Sequence, residues 1–171
     1  MPKHIYNNVV GERALNNGTV VEDVTTITLP TLSHPTTQIQ KVTGTYADLT
    51  IPDDNRYEAM DLSIAHNNGL NSQSLSEPGV HNLEFRVARQ RFDTINAKNE
   101  LESVKVLATG MHISTDKGTF ELGNPYGSTE KYALLHYREE INGVEVVNIS
   151  ALTGGHVNGV SISDKVEALL A

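Results

Sequence analysis

Apolar and polar positions alternate with a period of two over much of this chain, and that alternation sets its predicted elements. In residues 57–66, Met60, Leu62 and Ile64 fall on one face and Ala59, Asp61, Ser63 and Ala65 on the other, the pattern of a half-buried strand. Residues 132–152 read YALLHYREEINGVEVVNISAL, two alternating runs about Asn142-Gly143, whose residues supply the positive φ angles of a type I′ hairpin turn. Past the turn, Val144 and Val146 lie on one side and Glu145, Val147 and Ile149 on the other, so both faces are expected to be covered there. Residues 19–29, TVVEDVTTITL, are β-branched nearly throughout and predict a strand that Pro30 ends. In 81–92, Leu83, Phe85 and Val87 alternate with Glu84 and Arg86, and the phase slips before Phe92 as a bulge would make it. Residues 104–113 are apolar on both faces, with Gly110 marking a bulge or a close approach.

The remaining segments are less regular. Gly44 splits 38–51 into two β-prone halves, a bent strand or an open hairpin. Residues 67–79 are rich in Asn, Ser and Gly and read as loop, 93–102 as a polar connection holding at most a turn of helix, and 116–131 as a loop with a short strand at 119–122. At the start, Ile5, Tyr6, Val9 and Val10 are the apolar hooks of an arm. At the end, Asp164 caps a short helix or hook, with Glu167 three residues on. Six to eight strands with helix only at the margins make a mainly β protein, an antiparallel sandwich or barrel. A single domain covers 1–171, with an arm at 1–18, a β core at 19–160 and a C-terminal helix or hook at 161–171.

Composition narrows the chemistry. The 171 residues include no Cys and no Trp, which removes disulfides, thiolate metal sites and cysteine nucleophiles and leaves few aromatic anchors. No apolar run approaches a membrane span, and the first residues lack a signal peptide's apolar core, so synthesis in the cytoplasm without membrane insertion is expected. In that setting the sequons at Asn17 and Asn148 are chance matches. A net charge of −8 and a pI near 5.3 lack the basic footprint of a nucleic-acid binder, though they suit a surface that faces DNA without holding it.

No catalytic constellation emerges. The seven histidines (His4, His34, His66, His81, His112, His136, His156) form none of the local metal-binding spacings, although separate strands could bring two together, for example His112 and His136. Residues 159–163, GVSIS, lack the final glycine of a nucleophile elbow. Asp53-Asp54 and Glu139-Glu140 would point to opposite strand faces. No glycine pattern cradles a nucleotide, so no cofactor, metal or enzymatic activity is expected. Arg86, Arg89 and Arg91 form the basic cluster; they pair either with the acidic excess of another subunit or locally, for instance with Glu84. A carbohydrate-binding sandwich is disfavoured by the lack of Trp.

Several stretches, in order, resemble the major tail tube protein of contractile-tailed phages: ITLPTL at 27–32, AMDLSI at 59–64, the hairpin from Tyr137-Arg138 to Ile141-Asn142-Gly143, Val147-Asn148-Ile149 and VNGV at 157–160. The resemblance implies a β-barrel-like sandwich that forms hexameric rings, whose inner sheets join into one continuous β-barrel tube inside a contractile sheath. The rings stack, and DNA leaves through the lumen. The same fold builds R-type tailocin and type VI secretion tubes, so a tube that carries no DNA is the alternative. Family members often carry an amphipathic helix after the strand at 59–64; here it is shortened, displaced toward 93–102, or absent.

The resemblance also implies partners: copies of itself, the tail sheath protein, baseplate and tail terminator proteins, and transiently the tape measure protein and DNA. The place of action is the virion tail, after assembly in the host cytoplasm. Asp61, Ser63 and Ala65 are the candidate lumen-facing residues, the outer face toward the sheath being the competing assignment. Ile5, Tyr6, Val9, Val42, Tyr46, Leu49, Arg86, Arg89 and Leu169 are the candidate contacts between subunits or rings, with 38–51 as the joining hairpin and 1–10 and 164–171 meeting neighbouring rings.

Overall fold

The computed structural model describes residues 3–40, 46–67, 74–162 and 164–170, with the side chains at 6, 7 and 165–167 outside the description. Among these residues lie twelve strands and one short helix, more strands than the six to eight that the sequence pattern predicts. Ten strands make one sheet in the order β12-β11-β10-β9-β8-β7-β1-β2, with β6 joined to β9 and β3 to β6. All the pairings are antiparallel. Strands β4 (Thr36–Ile39) and β5 (Leu49–Pro52) form a separate hairpin, which resolves the choice left open for 38–51.

Three long strands carry the architecture. β7 (Val80–Asp93) pairs with β8 (Lys98–Asp116) through fourteen consecutive positions, and β8 pairs with β9 (Ser128–Ile141). Asn142 and Gly143, at φ 50° and 78°, turn β9 into β10 (Val144–Ser150) as the Asn-Gly pair predicts. The far edge of β9 is shared: β6 (Asp61–His66) covers 128–133, and β10 covers 136–141. β11 (Gly154–Val157) and β12 (Val160–Ser161) then extend the sheet beyond β10, and α1 (Asp164–Leu170) ends it.

Several expectations change. The presumed N-terminal arm contains β1 (His4–Asn16), which runs antiparallel to β7 from His4↔Asp93 to Asn16↔Leu83. Bulges after Tyr6 and Val9 break its period, so its apolar residues do not read as a strand. The bulge expected in β7 therefore lies in its partner, while β7 stays in register with β8 past Phe92. Residues 19–29 form two strands, β2 (Thr19–Val21) and β3 (Val24–Thr28), because Asp23 sits at φ 58°. No helical turn occupies 94–97; a tight turn joins β7 to β8, with the Asp93 carboxylate accepting from the backbone N–H of Ile95 and Asn96. Residues 119–122 are not a strand. Val144 is 67% exposed, so the face it occupies beside the turn is open rather than covered.

The core gathers Leu62 and Ile64 of β6, Leu83 and Phe85 of β7, Val106 and Ala108 of β8, and Tyr132, Leu134 and Tyr137 of β9. The alternation read in β6 is the observed one, with Met60 joining Leu62 and Ile64 inside. Gly110 is both predicted features at once. The register shifts there, and a Cβ would stand 2.8 Å from the Ala133 carbonyl oxygen, so a side chain would force β8 off β9.

The sheet does not close on itself. Among the described residues, β2, β3 and β12 are edges, and β1 has no second partner from His4 to Arg13. Beyond the last β8–β9 pair, Val104↔Ile141, the ends of β1, β7 and β8 continue as a three-stranded ribbon about 20 Å long.

Candidate functional site, the polar sheet face and its edges

The sheet face turned away from the core is built by register. In β6, Asp61 is exposed and Ser63 and Ala65 half-buried, opposite the buried Leu62 and Ile64; across the strand gap they meet Ala133, Lys131 and Thr129 of β9. The same face continues through Thr109, Leu107 and Lys105 of β8, opposite His136, Arg138 and Glu140 of β9. β7 adds Asn82, Glu84 and Arg86, and β10 adds Glu145 and Asn148. Sequence analysis found one strand of this face; registry supplies the rest.

Its charges are paired. Lys131 Nζ lies 2.9 Å from Asp61 Oδ2. Arg86 Nε donates to Glu84 Oε1 at 2.6 Å, and Lys105 Nζ reaches the same oxygen at 3.6 Å. Arg138 spans Glu140 and Glu145, each at 2.5 Å, and His156 Nε2 stands 2.7 Å from Glu145. For Glu84 and Glu145 these contacts favour the charged form. The Glu84 pKa is lowered chiefly by its hydrogen bond from Arg86, and that of Glu145 by Asn148, then Arg138 and His156.

The core side of the ribbon is ionic too. Arg89 donates through Nε and Nη2 to the buried Glu102, and Arg91 bridges Glu102 and Glu100. Each arginine of the predicted basic cluster thus has a carboxylate partner within its own chain, including the Arg86–Glu84 pair anticipated from sequence.

Histidines come together where sequence spacing gave no signal, between β6, β7, β8 and β9. Glu130, fully buried, accepts from Thr115 Oγ1, lies 2.9 Å from His112 Nε2, and has its other oxygen 3.9 Å from His66 Nε2. His81 and Tyr132 adjoin it, with ring centroids 5.3 Å apart, and the Tyr132 hydroxyl donates to Leu75 O. Burial raises the Tyr132 pKa beyond its usual value. His136 does not join His112; it pairs with Asn148 on the opposite face. A second cluster, His4, Asp93 and Glu100, brings ligand atoms within 4.8 Å of one another. Its carboxylates are already engaged, Asp93 by Ile95 and Asn96 and Glu100 by Lys98 and Arg91, so it anchors the ribbon's turn.

The candidate contact residues are scattered over the edges. Ile5 and Val9 are exposed on β1, Tyr46 and Leu49 on the β4–β5 hairpin and its approach, and Leu169 on α1. The Tyr6 side chain and Val42 lie outside the described residues. Sequence reasoning passed over Leu101 on the ribbon, and over Phe120 and Leu122, which are displayed on the loop between β8 and β9, where Phe120 stacks on Tyr126 at 4.4 Å. Full exposure of apolar residues in a loop leaves no periodic trace.

Compared with known proteins, residues 12–170 match the model of a family described as phage tail tube protein FII. No curated protein matches. Among solved structures, the chain is similar to one in the cryo-EM structure of an extracellular contractile injection system, the PVC sheath-tube complex in its extended state. The identity is 10% and the TM-score 0.46, over 75% of this chain and 87% of that one.

Proposed function

The chain belongs to the phage tail tube protein FII family, a family of structural subunits of the virion tail, and from that premise we propose how it builds and lines its tube. Copies join edge to edge into hexameric rings, and the rings stack into a hollow cylinder through which DNA is ejected. The single observation that carries this reading is the open sheet. Ten strands leave the β1 edge unpaired from His4 to Arg13, together with the outer edges of β2, β3 and β12, and a long open edge is a template for another chain.

Within that assembly the polar sheet face is the inner wall, with Asp61, Ser63 and Ala65 lining the lumen. Ile5, Tyr6, Val9, Val42, Tyr46, Leu49, Arg89 and Leu169 belong to the contacts between subunits or rings, while Arg86, a candidate for such a contact by sequence, lies on the polar face of β7 and belongs to the inner wall. Residues 1–171 act as one domain. The sheath protein covers the outside, baseplate and terminator proteins meet the two ends, and the tape measure protein and then DNA occupy the bore. Assembly takes place in the host cytoplasm. Among the described residues no helix is long and apolar enough to cross a membrane.

Negative-stain imaging of the purified protein tests the proposal. Hollow rods or six-fold rings are expected; a compact monomer at every concentration, also with its sheath and baseplate partners present, would overturn it.

A further inference from the structure

The four Lys and Arg residues on the face of β6–β10 turned away from the core are Arg86, Lys105, Lys131 and Arg138, and each is held by a carboxylate of the same chain at 2.5 to 3.6 Å. We propose that Glu84, Glu140 and Glu145, with Asp61, mask these cations from the phosphates of passing DNA, so that the wall is kept from gripping by pairing rather than by bare negative charge. The inference rests on the reading of this face as the lumen.

Stoichiometry and register support it. Three carboxylates, Glu84, Glu140 and Glu145, stand against three cations, Arg86, Lys105 and Arg138, so this cluster is neutral although the chain carries −8. The acidic excess therefore lies elsewhere. The pairs also cross strands: Lys105 of β8 reaches Glu84 of β7, Arg138 of β9 reaches Glu145 of β10, and Lys131 of β9 reaches Asp61 of β6. Three of the four cations are thus tied to a neighbouring strand, and Arg86 is held within β7 by Glu84. A phosphate would have to displace a carboxylate already in contact, losing the charge-assisted bond it replaces. An unmasked ring of arginines would instead bind phosphate by releasing counterions, and every such contact must be broken as the duplex advances.

The test compares Glu84→Gln/Glu145→Gln with the parent and with Glu22→Gln/Glu121→Gln, which removes the same charge from exposed residues off the cluster. Unassembled subunits are passed over an immobilised short DNA duplex, and open-ended tubes are co-sedimented with the same duplex. The cluster variant is expected to bind about tenfold or more tighter than the parent at low salt, with the gain disappearing as salt rises, while the control variant matches the parent. Equal binding by cluster variant and parent, or an equal gain in the control, would overturn the masking. The lumen assignment is read separately. The chain has no native Cys, so Ser63→Cys can be labelled in assembled tubes with a small maleimide and with one on a bulky polymer. Labelling by the small reagent alone supports the inner position. Labelling by both places the face outside, and the lumen reading fails whatever the DNA result.

Discussion

Removing the Glu130 carboxylate is expected to be among the most damaging single changes in this fold. Glu130 is fully buried, and its oxygen Oε2 is shared by the Thr115 hydroxyl and the His112 imidazole. Glu130→Ala leaves both partners without their acceptor. Leaving a buried hydrogen-bonding group without its partner costs about 1–3 kcal/mol, and two partners are abandoned beside the cavity left by the side chain, so a loss of about 3–5 kcal/mol is expected. With a urea m-value of about 2 kcal/mol/M, the unfolding midpoint should fall by about 1.5–2.5 M. Far-UV circular dichroism on dilute, unassembled subunit is the appropriate assay, because assembly would add its own stabilisation by mass action. A triple variant, Glu130→Leu with His112→Leu and Thr115→Val, removes donors and acceptor together and should recover to within about 2 kcal/mol of the parent. A midpoint shift in Glu130→Ala of less than about 0.5 M would refute the argument that this carboxylate is structural. A triple variant as weak as the single one would refute the claim that the cost lies in the abandoned partners.

Two further outcomes follow from local geometry. At Gly155 a Cβ would stand 1.9 Å from the Asn148 carbonyl oxygen, a backbone atom held by the β10–β11 pairing, so Gly155→Ala should cost about 3 kcal/mol and lower Tm by about 6–12 °C; an unchanged Tm would contradict the packing described. The Asp93 carboxyl, held down to about 2 by the Asn96 side chain, the Ile95 N–H and the Asn96 N–H, titrates lower in the folded chain than in the unfolded one. Its stabilisation is therefore complete above about pH 4 and is lost as pH falls through 2; the gap in urea midpoint between parent and Asp93→Asn should narrow over that window, and a constant gap would refute the assignment.

Some short-range signals carry through to the structure and others, such as the strand expected at 119–122 and the single strand expected at 19–29, do not, while long-range ones leave no local trace. The Asn142-Gly143 turn and the inside-outside order of β6 depend on neighbours two to four residues apart, and both appear as expected. β1 was hidden because its two bulges scramble the alternation that would have revealed it. The ribbon was hidden for another reason. Arg89 and Arg91 face Glu102 and Glu100 across the β7–β8 gap, so two polar runs that look like a surface connection are strands satisfied by each other. The buried His66 and Glu130 and the half-buried His112 lie 18 or more positions apart in sequence, and only the meeting of β6, β8 and β9 brings them together. On the polar face, Asp61, Ser63 and Ala65 were legible from one strand. The extent of that surface, and the pairing of its charges, are properties of register.

The fourteen unbroken rungs between β7 and β8 give the subunit a direction in which it resists force. Pulled lengthwise in opposite senses, the two strands load every rung together, and sliding β7 by one residue against β8 would also turn its Leu83 and Phe85 outward and its Glu84 inward. Peeled from the turn at 94–97, the same strands surrender their bonds one after another. The protein is therefore stiff to shear along β8 and compliant to unzipping from its tip, so a mechanical stroke that passes along the strands meets a far stronger joint than one applied across them.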